Sequence, residues 1–251
     1  MSPEADARVA LVTGGTRGIG RAVAARLAGG GDRVIAVGRD PEALASVAEL
    51  GGVEAEECDV TDEDAVAGLF ERVGPVDVLV NNAGVSTGAP LARTSLEDWR
   101  LQIDVNATGA FLCSRAAVPG MLERDRGRVV FVASIAGVAG MRYTVAYAAS
   151  KHAAIGVMRA LASELAGTGV TSNAVCPTFV RTGMTDRSVE RIARTTGRSE
   201  AEGREALAAV SPLGRLLEPE EVAASVAFLT EDLSAAINGQ TLVLDGGGIQ
   251  S

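Results

Sequence analysis

Short apolar runs alternate with helical patterns along most of the chain, and this alternation limits the fold more than any other feature. Strand-like runs are predicted at 8–12, 33–37, 53–58, 76–80, 128–133, 170–175 and 241–244. Helical patterns follow a glycine-rich turn to about residue 28 and cover 41–50, 96–123 and 146–165. Strands that are apolar throughout belong to parallel sheets covered on both faces. We therefore predict an α/β fold: a doubly wound parallel sheet of about seven strands with helices on both faces.

Nothing in the composition divides the chain. Its 251 residues contain neither internal repeats nor a linker rich in proline and serine, which predicts a single domain over 1–251. The segment 178–212 breaks the rhythm, since it is polar, rich in arginine and irregular in period. We expect one or two short helices there, standing off the sheet and covering a substrate.

Charge and cysteine content exclude several classes of function. A net charge of −9 argues against binding to nucleic acid or to anionic lipid. No apolar run approaches the roughly 20 residues that span a bilayer, and the acidic start of the chain is unlike a secretion signal, so a cytoplasmic protein is expected. Cys58, Cys113 and Cys176 lie far apart without metal-ligand spacing, which predicts buried free thiols and no metal site.

A glycine-rich turn joins the first strand to the first helix. Glycines permit a tight turn and let the backbone approach a pyrophosphate, while the helix N-terminus offers free N–H groups and partial positive charge. The residues predicted to bind a dinucleotide here are Gly14, Thr16, Arg17, Gly18, Ile19 and Gly20.

The end of the second strand bears on which dinucleotide binds. An acidic residue there would accept hydrogen bonds from a ribose 2′-hydroxyl, whereas this chain has Gly38 followed by Arg39. Arg39 and Arg17 are suited to a 2′-phosphate, which favours NADP(H). Two alternatives remain: Arg39 as solvated surface, and Asp40 either as a ribose ligand or as the cap of the next helix.

Tyr147 and Lys151 stand four residues apart on one predicted helix face. Lys151 is the one lysine among 23 basic residues, and a chain that otherwise uses arginine is expected to need a compact ammonium there. Such an ammonium about 4 Å from the phenol would supply about 4 kcal/mol at an effective dielectric near 20. That energy would lower the tyrosine pKa by two to three units.

Two polar residues complete the predicted reaction centre. Ser134 ends a strand at the carboxyl edge, where its hydroxyl can hold a carbonyl oxygen, and Asn106 can orient a water that reprotonates Lys151. Taken singly, each is equally consistent with a polar strand or helix terminus. His152 points about 100° away from its neighbour on the helix, so a packing role is expected for it.

These motifs together resemble the short-chain dehydrogenase/reductase family over nearly the whole chain, which implies a Rossmann-like domain. The resemblance assigns catalysis to Asn106, Ser134, Tyr147 and Lys151, with the last two also touching the cofactor. It gives Asp59 and Val60 to the adenine, and Asn82, Ala83 and Gly84 to the sheet end and the cofactor. It further implies homodimers or homotetramers built through the helices of 96–123 and 146–165.

The segment after the sixth strand departs from the family pattern. Pro177 is followed by Thr178 where glycine is usual. The resemblance implies that Pro177, Thr178, Val180 and Thr182 contact the cofactor, with Thr182 at the position that holds the carboxamide. Within the family the chain most resembles 3-oxoacyl thioester and polyketide ketoreductases, which predicts a small carbonyl substrate. Arg142 and the arginines of 178–212 would then meet an anionic substrate tail, or else form solvated surface.

Three functions follow from these residues. The leading hypothesis is an NADP(H)-dependent ketoreductase with Tyr147 as proton donor. The alternatives are an NAD-linked alcohol or 3-hydroxyacyl dehydrogenase working oxidatively, and a redox sensor that binds NADP(H) without turnover. A dinucleotide sensor has no need of a Tyr–Lys pair beside an aligned serine, which disfavours the sensor.

Overall fold

A seven-stranded parallel sheet forms the centre of the computed structural model, which describes residues 7–250. Its strands are β1 (Val9–Thr13), β2 (Arg33–Gly38), β3 (Val53–Glu57), β4 (Val78–Asn81), β5 (Gly127–Val132), β6 (Val170–Pro177) and β7 (Thr241–Leu244). Their order across the sheet is β3-β2-β1-β4-β5-β6-β7. The predicted α/β fold is confirmed. Residues 1–6, on which the expectation about a secretion signal largely rests, lie outside the described residues.

Helices cover both faces of this sheet. They are α1 (Gly18–Gly29), α2 (Pro41–Ala48), α3 (Glu63–Val73), α4 (Leu96–Ile103), α5 (Gly109–Glu123), α6 (Val145–Glu164), α7 (Gly183–Thr196), α8 (Glu200–Ala208) and α9 (Pro219–Thr230). In the described part of the chain, none of them is long and apolar enough to cross a membrane.

Two apolar layers hold the helices to the sheet. One cluster joins Leu69 of α3, Leu112 of α5 and Met158 of α6 to side chains on one face. The other joins Val23 of α1 and Val226 of α9 to the opposite face. Strands β4, β5 and β6 are buried at every residue because both faces are covered, which explains why β4 and β5 are mostly apolar.

The helical stretch predicted at 96–123 is continuous in the structure, but it is not α-helical throughout. Between α4 and α5 the backbone widens into a π-helical turn, Asp104–Thr108, which contains Asn106. Turns of this kind occur often at functional sites. The segments on both sides of it are α-helical, and the sequence pattern did not indicate the wider turn between them.

The segment 178–212 does form two helices, α7 and α8, as predicted. The two helices pack together at a small apolar cluster, which is separate from the two layers on the sheet. Its buried residues are Val189, Leu207 and Leu216. Because this cluster is small, the segment is held to the rest of the protein by few apolar contacts. The three cysteines are buried and free, as the sequence predicts.

Candidate active site

The sheet order creates a crevice at the carboxyl ends of β1 and β4. The chain leaves β1 toward β2 and β3, then returns to the other side of β1 to form β4. Ligands bind in parallel sheets at such a reversal, because the connections on either side diverge. Apart from Tyr147 and Lys151 on α6, the predicted cofactor-binding residues end or follow strands whose carboxyl ends lie on this edge.

The turn after β1 has the backbone that its glycines permit. Gly14 has φ +61° and Gly18 has φ +53°, both in the left-handed region that favours glycine. A Cβ on Gly20 would collide with the carbonyl of Gly14 and the side chain of Asn82. The side chain of Ile19 packs into the apolar layer beside α1, which anchors the start of the helix.

Thr13 and Asn82 tie this turn to the end of β4. The Asn82 side-chain amide donates to the carbonyls of Thr13 (2.9 Å) and Gly14 (3.0 Å). The Thr13 hydroxyl oxygen accepts from the backbone N–H groups of Asn82 (2.9 Å) and Ala83 (3.0 Å). These bonds hold the glycine turn in a fixed shape, so its N–H groups keep their directions without a ligand.

The first turn of α1 is suited to an anion. Arg17 at the N-cap makes no side-chain capping bond, and no acidic residue lies in the first turn. The N–H groups at this end therefore remain available, and the helix dipole favours negative charge there. Thr182 lies over the turn, since a Cβ on Gly18 would be 3.1 Å from the Thr182 methyl carbon. The turn and the segment after β6 thus face each other across a narrow gap.

Two arginines stand at the end of β2, each paired with a carboxylate. Arg17 donates to Asp40 at 3.0 Å, and Arg39 donates to Asp59 at 2.8 Å. Both pairs are exposed, where an ion pair contributes about 0–1 kcal/mol, so either arginine can turn to a doubly charged phosphate at low cost. Asp40 also accepts from the N–H of Ala43 and caps α2, which supports the capping alternative.

A steric contact explains why β2 ends on glycine. A Cβ on Gly38 would lie 2.7 Å from the Thr16 methyl carbon, so a larger residue would require the Thr16 side chain to move. Val60, after β3, is buried against Gly109 at the start of α5, and its neighbour Asp59 is held by Thr61. An acidic side chain at position 38, which would repel a 2′-phosphate, would therefore also crowd Thr16.

Lys151 and Tyr147 lie together on α6, as their spacing predicts. The Lys151 ammonium nitrogen is 5.9 Å from the centre of the Tyr147 ring and donates to the carbonyl of Val132 at 2.9 Å. Only 5% of Lys151 is exposed, and burial lowers its pKa to about 8. It therefore remains largely charged at neutral pH, at an energetic cost that a surface lysine would not carry.

The expected lowering of the tyrosine pKa is wrong for the protein alone. Burial raises the pKa of Tyr147, and the Ser134 side chain opposes this only in part. The ammonium is directed at a backbone carbonyl rather than at the phenol oxygen, so removal from water dominates. Tyr147 is consequently a protonated phenol, suited to donating a proton.

Ser134 and Asn106 take different positions relative to this pair. Ser134 follows β5, and its hydroxyl oxygen accepts from the N–H of Ala136 at 3.1 Å, which fixes the side chain beside Tyr147. The Asn106 amide exchanges two bonds with the backbone of Val85 and donates to the Ser150 hydroxyl at 2.8 Å. The donor and acceptor of Asn106 are thus occupied by protein groups.

Gly84 separates Asn106 from Lys151. A Cβ there would lie 3.1 Å from the Asn106 side-chain oxygen and 3.6 Å from the Lys151 nitrogen. His152, by contrast, is exposed and contacts the carbonyl of Ala148 on its own helix at 2.9 Å. The structure therefore brings Asn106, Ser134, Tyr147 and Lys151 to one place and leaves His152 outside.

The segment after β6 forms the opposite wall. Pro177 pairs with Leu244 of β7, and the Thr178 N–H donates to the carbonyl of Leu244 at 3.0 Å. The Thr178 hydroxyl is buried and has no hydrogen-bond partner among the described residues. Val180 is buried, and its carbonyl accepts from the Thr185 hydroxyl at 2.6 Å. Thr178 thus occupies the family's glycine position with an unsatisfied polar atom.

One residue of the site, Ser150, and one contact, made by Arg191, were not predicted from the sequence. Ser150 connects the Asn106 amide to the carbonyl of Tyr147 at 2.8 Å, which couples the π-helical turn to the catalytic helix. Its position between Tyr147 and Lys151 was the available signal. Arg191 of α7 lies close to Gly88, a contact that no spacing in the sequence indicates.

Several known reductases are similar to this chain over nearly its whole length. A family model described as enoyl-(acyl carrier protein) reductase matches residues 14–248. The granaticin polyketide synthase putative ketoacyl reductase 1 of Streptomyces violaceoruber is 44% identical over 250 residues, which cover 95% of this chain and 92% of that protein. A 3-oxoacyl-[acyl-carrier-protein] reductase of Synechocystis is 38% identical, with 96% of each chain covered. The crystal structure of an actinorhodin polyketide ketoreductase variant with NADPH matches with a TM-score of 0.91 and 40% identity, covering 96% of this chain and 97% of that one.

Proposed function

Because the chain belongs to the short-chain dehydrogenase/reductase family, we propose that it is an NADPH-dependent ketoreductase acting on a 3-oxoacyl thioester or polyketide-type ketone. The observation that carries this proposal is the buried Lys151 ammonium beside a protonated Tyr147, at the sheet edge where Ser134 also lies. The relatives described as ketoacyl reductases, and the similar structure with NADPH, support the substrate class and the cofactor.

The described residues fit the cofactor. The glycine turn and the free start of α1 would hold its pyrophosphate, and Arg17 and Arg39 its 2′-phosphate. Asp59 and Val60 would contact the adenine, and the residues after β4 would line the cofactor at the end of the sheet. The segment after β6 would line the nicotinamide. NADPH, when bound, supplies a hydride.

Side chains of the protein donate the proton and stabilise the negative charge that remains. The Tyr147 phenol donates its proton to the carbonyl oxygen as negative charge develops there, and the Ser134 hydroxyl orients that oxygen. The phenolate that remains is balanced by the Lys151 ammonium a few ångströms away. A pKa raised by burial makes the phenol a weaker acid but keeps it protonated at neutral pH, so the proton that reduction requires is in place and little phenolate is present to act as the base for oxidation.

Turnover with NADPH tests the proposal. Loss of nicotinamide absorbance is followed with a panel of β-keto thioesters, cyclic ketones and quinones, for the wild type and for Tyr147→Phe. We expect reduction of at least one β-keto thioester, and a loss of about 100-fold or more in Tyr147→Phe with NADPH binding retained. No turnover over the whole panel, with NADPH bound, would refute the ketoreductase and favour the redox sensor.

We also propose that α7 and α8 cover the substrate, and that copies of the chain associate through α4, α5 and α6. The small apolar cluster under α7 and α8 supports the first proposal, because few contacts resist their movement. The exposed Leu101, Phe111 and Leu122 support the second, which predicts a homodimer or homotetramer by sedimentation or light scattering. Three free buried thiols are consistent with a proposed cytoplasmic location, which cell fractionation would test.

A further inference from the structure

Ser150 is a fully buried serine between the two reaction-centre residues of α6. None of its surface is exposed. Its hydroxyl donates to the carbonyl of Tyr147, three residues earlier on the helix, and accepts from the side-chain amide of Asn106, each at 2.8 Å. Because the hydroxyl hydrogen is directed at Tyr147, only lone pairs face the π-helical turn, and an N–H group must meet them. Ser150 therefore determines which end of the Asn106 amide faces α6.

Backbone groups hold the same amide from the other side. Its oxygen accepts from the N–H of Val85 at 2.8 Å, and its nitrogen donates to the Val85 carbonyl at 2.9 Å as well as to Ser150. Exchange of the nitrogen and the oxygen would set donor against donor and acceptor against acceptor at Val85. Only 2% of Asn106 is exposed, so the loss of the Ser150 hydroxyl would leave a buried N–H group unsatisfied.

Asn106 is close to the buried ammonium of Lys151. A Cβ on Gly84 would lie 3.1 Å from the Asn106 side-chain oxygen and 3.6 Å from the Lys151 nitrogen. In an α-helix the N–H of Lys151 bonds to the carbonyl of Tyr147, which is the carbonyl that the Ser150 hydroxyl also reaches. One helical turn thus carries the phenol, the ammonium and the serine that bonds to the π-helical turn.

We propose that Ser150 is a positioning residue for the reduction. Its hydroxyl ties Asn106 to the turn of α6 that carries Tyr147 and Lys151, and this tie holds the phenol and the ammonium in their reactive geometry. The inference rests on the proposed ketoreductase function and extends it to a residue whose bonds both end on protein groups. Small displacements of reacting groups slow a reaction without weakening binding, so the effect of Ser150 belongs in kcat.

Ser150→Ala tests this role, with the N-acetylcysteamine thioester of acetoacetate as substrate. We expect kcat, measured well below Tm, to fall about tenfold, because the amide and the helical turn lose their common bond. KM and the dissociation constant of NADPH should change by no more than about twofold. A merely structural role would lower Tm and leave kcat unchanged.

Ser172→Ala is the matched control. Ser172 of β6 is also fully buried, and its hydroxyl donates to the carbonyl of Met158, on the same helix but well beyond Lys151. This variant should lose stability and keep kcat within about twofold of the wild type.

A double variant tests the route through Asn106. Since Asn106→Ala already breaks the tie, the addition of Ser150→Ala should lower kcat by no more than about a further twofold. Should Ser150→Ala fail to fold, Ser150→Cys keeps a side chain of similar shape with only a weak hydrogen-bonding group, and it should show the same loss of kcat.

The outcomes separate this role from the proposed function. If the wild type reduces no β-keto thioester, the ketoreductase function is in error and the role of Ser150 falls with it. If the wild type is active and Ser150→Ala keeps its kcat, or loses activity only through KM or NADPH binding, the positioning role is overturned and the function stands. An equal loss of kcat in Ser172→Ala, or a full further loss in the double variant, overturns the role as well.

Discussion

Replacement of Lys151 by methionine should abolish activity and yet stabilise the protein at neutral pH. Burial lowers the pKa of this lysine from 10.5 to about 8, so keeping it charged in the native state costs about 3 kcal/mol at roughly 1.4 kcal/mol per pKa unit. Methionine has similar length and no charge, and it gives up only the bond to the Val132 carbonyl, worth about 1 kcal/mol. The expected gain at pH 7 is about 2 kcal/mol, or about 4–8 °C in Tm for a chain of this size.

The gain in stability of Lys151→Met over the wild type should disappear at alkaline pH. Below pH 8 both states of the wild type hold the lysine proton, and the cost of burial is fully present. Between pH 8 and 10.5 the native state loses its proton first, so the unfolded state binds more protons and wild-type stability rises with pH relative to Lys151→Met. Above pH 10.5 the cost is gone, and the wild type should be the more stable by the worth of one hydrogen bond.

Urea denaturation of both proteins at several pH values from 7 to 11 measures this difference, because effects of other groups cancel between them. A wild type that is at least as stable as Lys151→Met at pH 7 would show that the ammonium is not desolvated. A difference that stays constant across the range would refute the linkage to Lys151. In either case the account of a lysine held charged for catalysis would fail.

Three further outcomes are expected. Lys151→Arg should lower kcat by about 100-fold or more despite its charge, because the wide guanidinium does not fit the buried position; near-normal kcat would contradict this. Arg39→Ala should weaken NADPH binding by about tenfold while leaving NADH binding nearly unchanged, as measured by fluorescence titration; equal losses would argue against a 2′-phosphate contact. Thr178→Val should raise Tm by removing an unsatisfied buried hydroxyl, whereas Thr185→Val, which loses a bond to Val180, should lower it; the opposite order in calorimetry would contradict the structure.

Much of the site could be predicted from the sequence because its parts are local. The glycine turn requires φ values that few other residues adopt, and the spacing of Tyr147 and Lys151 places both on one helix face in any α-helix. Strand-like runs that are apolar throughout required helices on both faces, and the order of strands and helices then required the parallel sheet. Lys151 could be identified as important because it is the one lysine in a chain that otherwise uses arginine.

Long-range contacts could not be predicted in this way. The π-helical turn at Asn106 arises where α4 and α5 pack around the start of α6, and its amide is bound by Val85 and Ser150 from distant parts of the chain. The pairing of Arg39 with Asp59 joins the ends of two strands 20 residues apart. Periodicity reports which face is buried, but not what lies opposite it.

Tyr147 and Lys151 show most clearly which properties follow from the sequence and which require the tertiary structure. The sequence by itself determined that Tyr147 and Lys151 are neighbours at the edge of a parallel sheet, because helix geometry and strand order suffice for that. Only the tertiary structure decided their protonation. Burial depends on every element packed around α6, and it raises the tyrosine pKa and lowers the lysine pKa. Desolvation is a property of the whole fold, and so no local pattern could supply it.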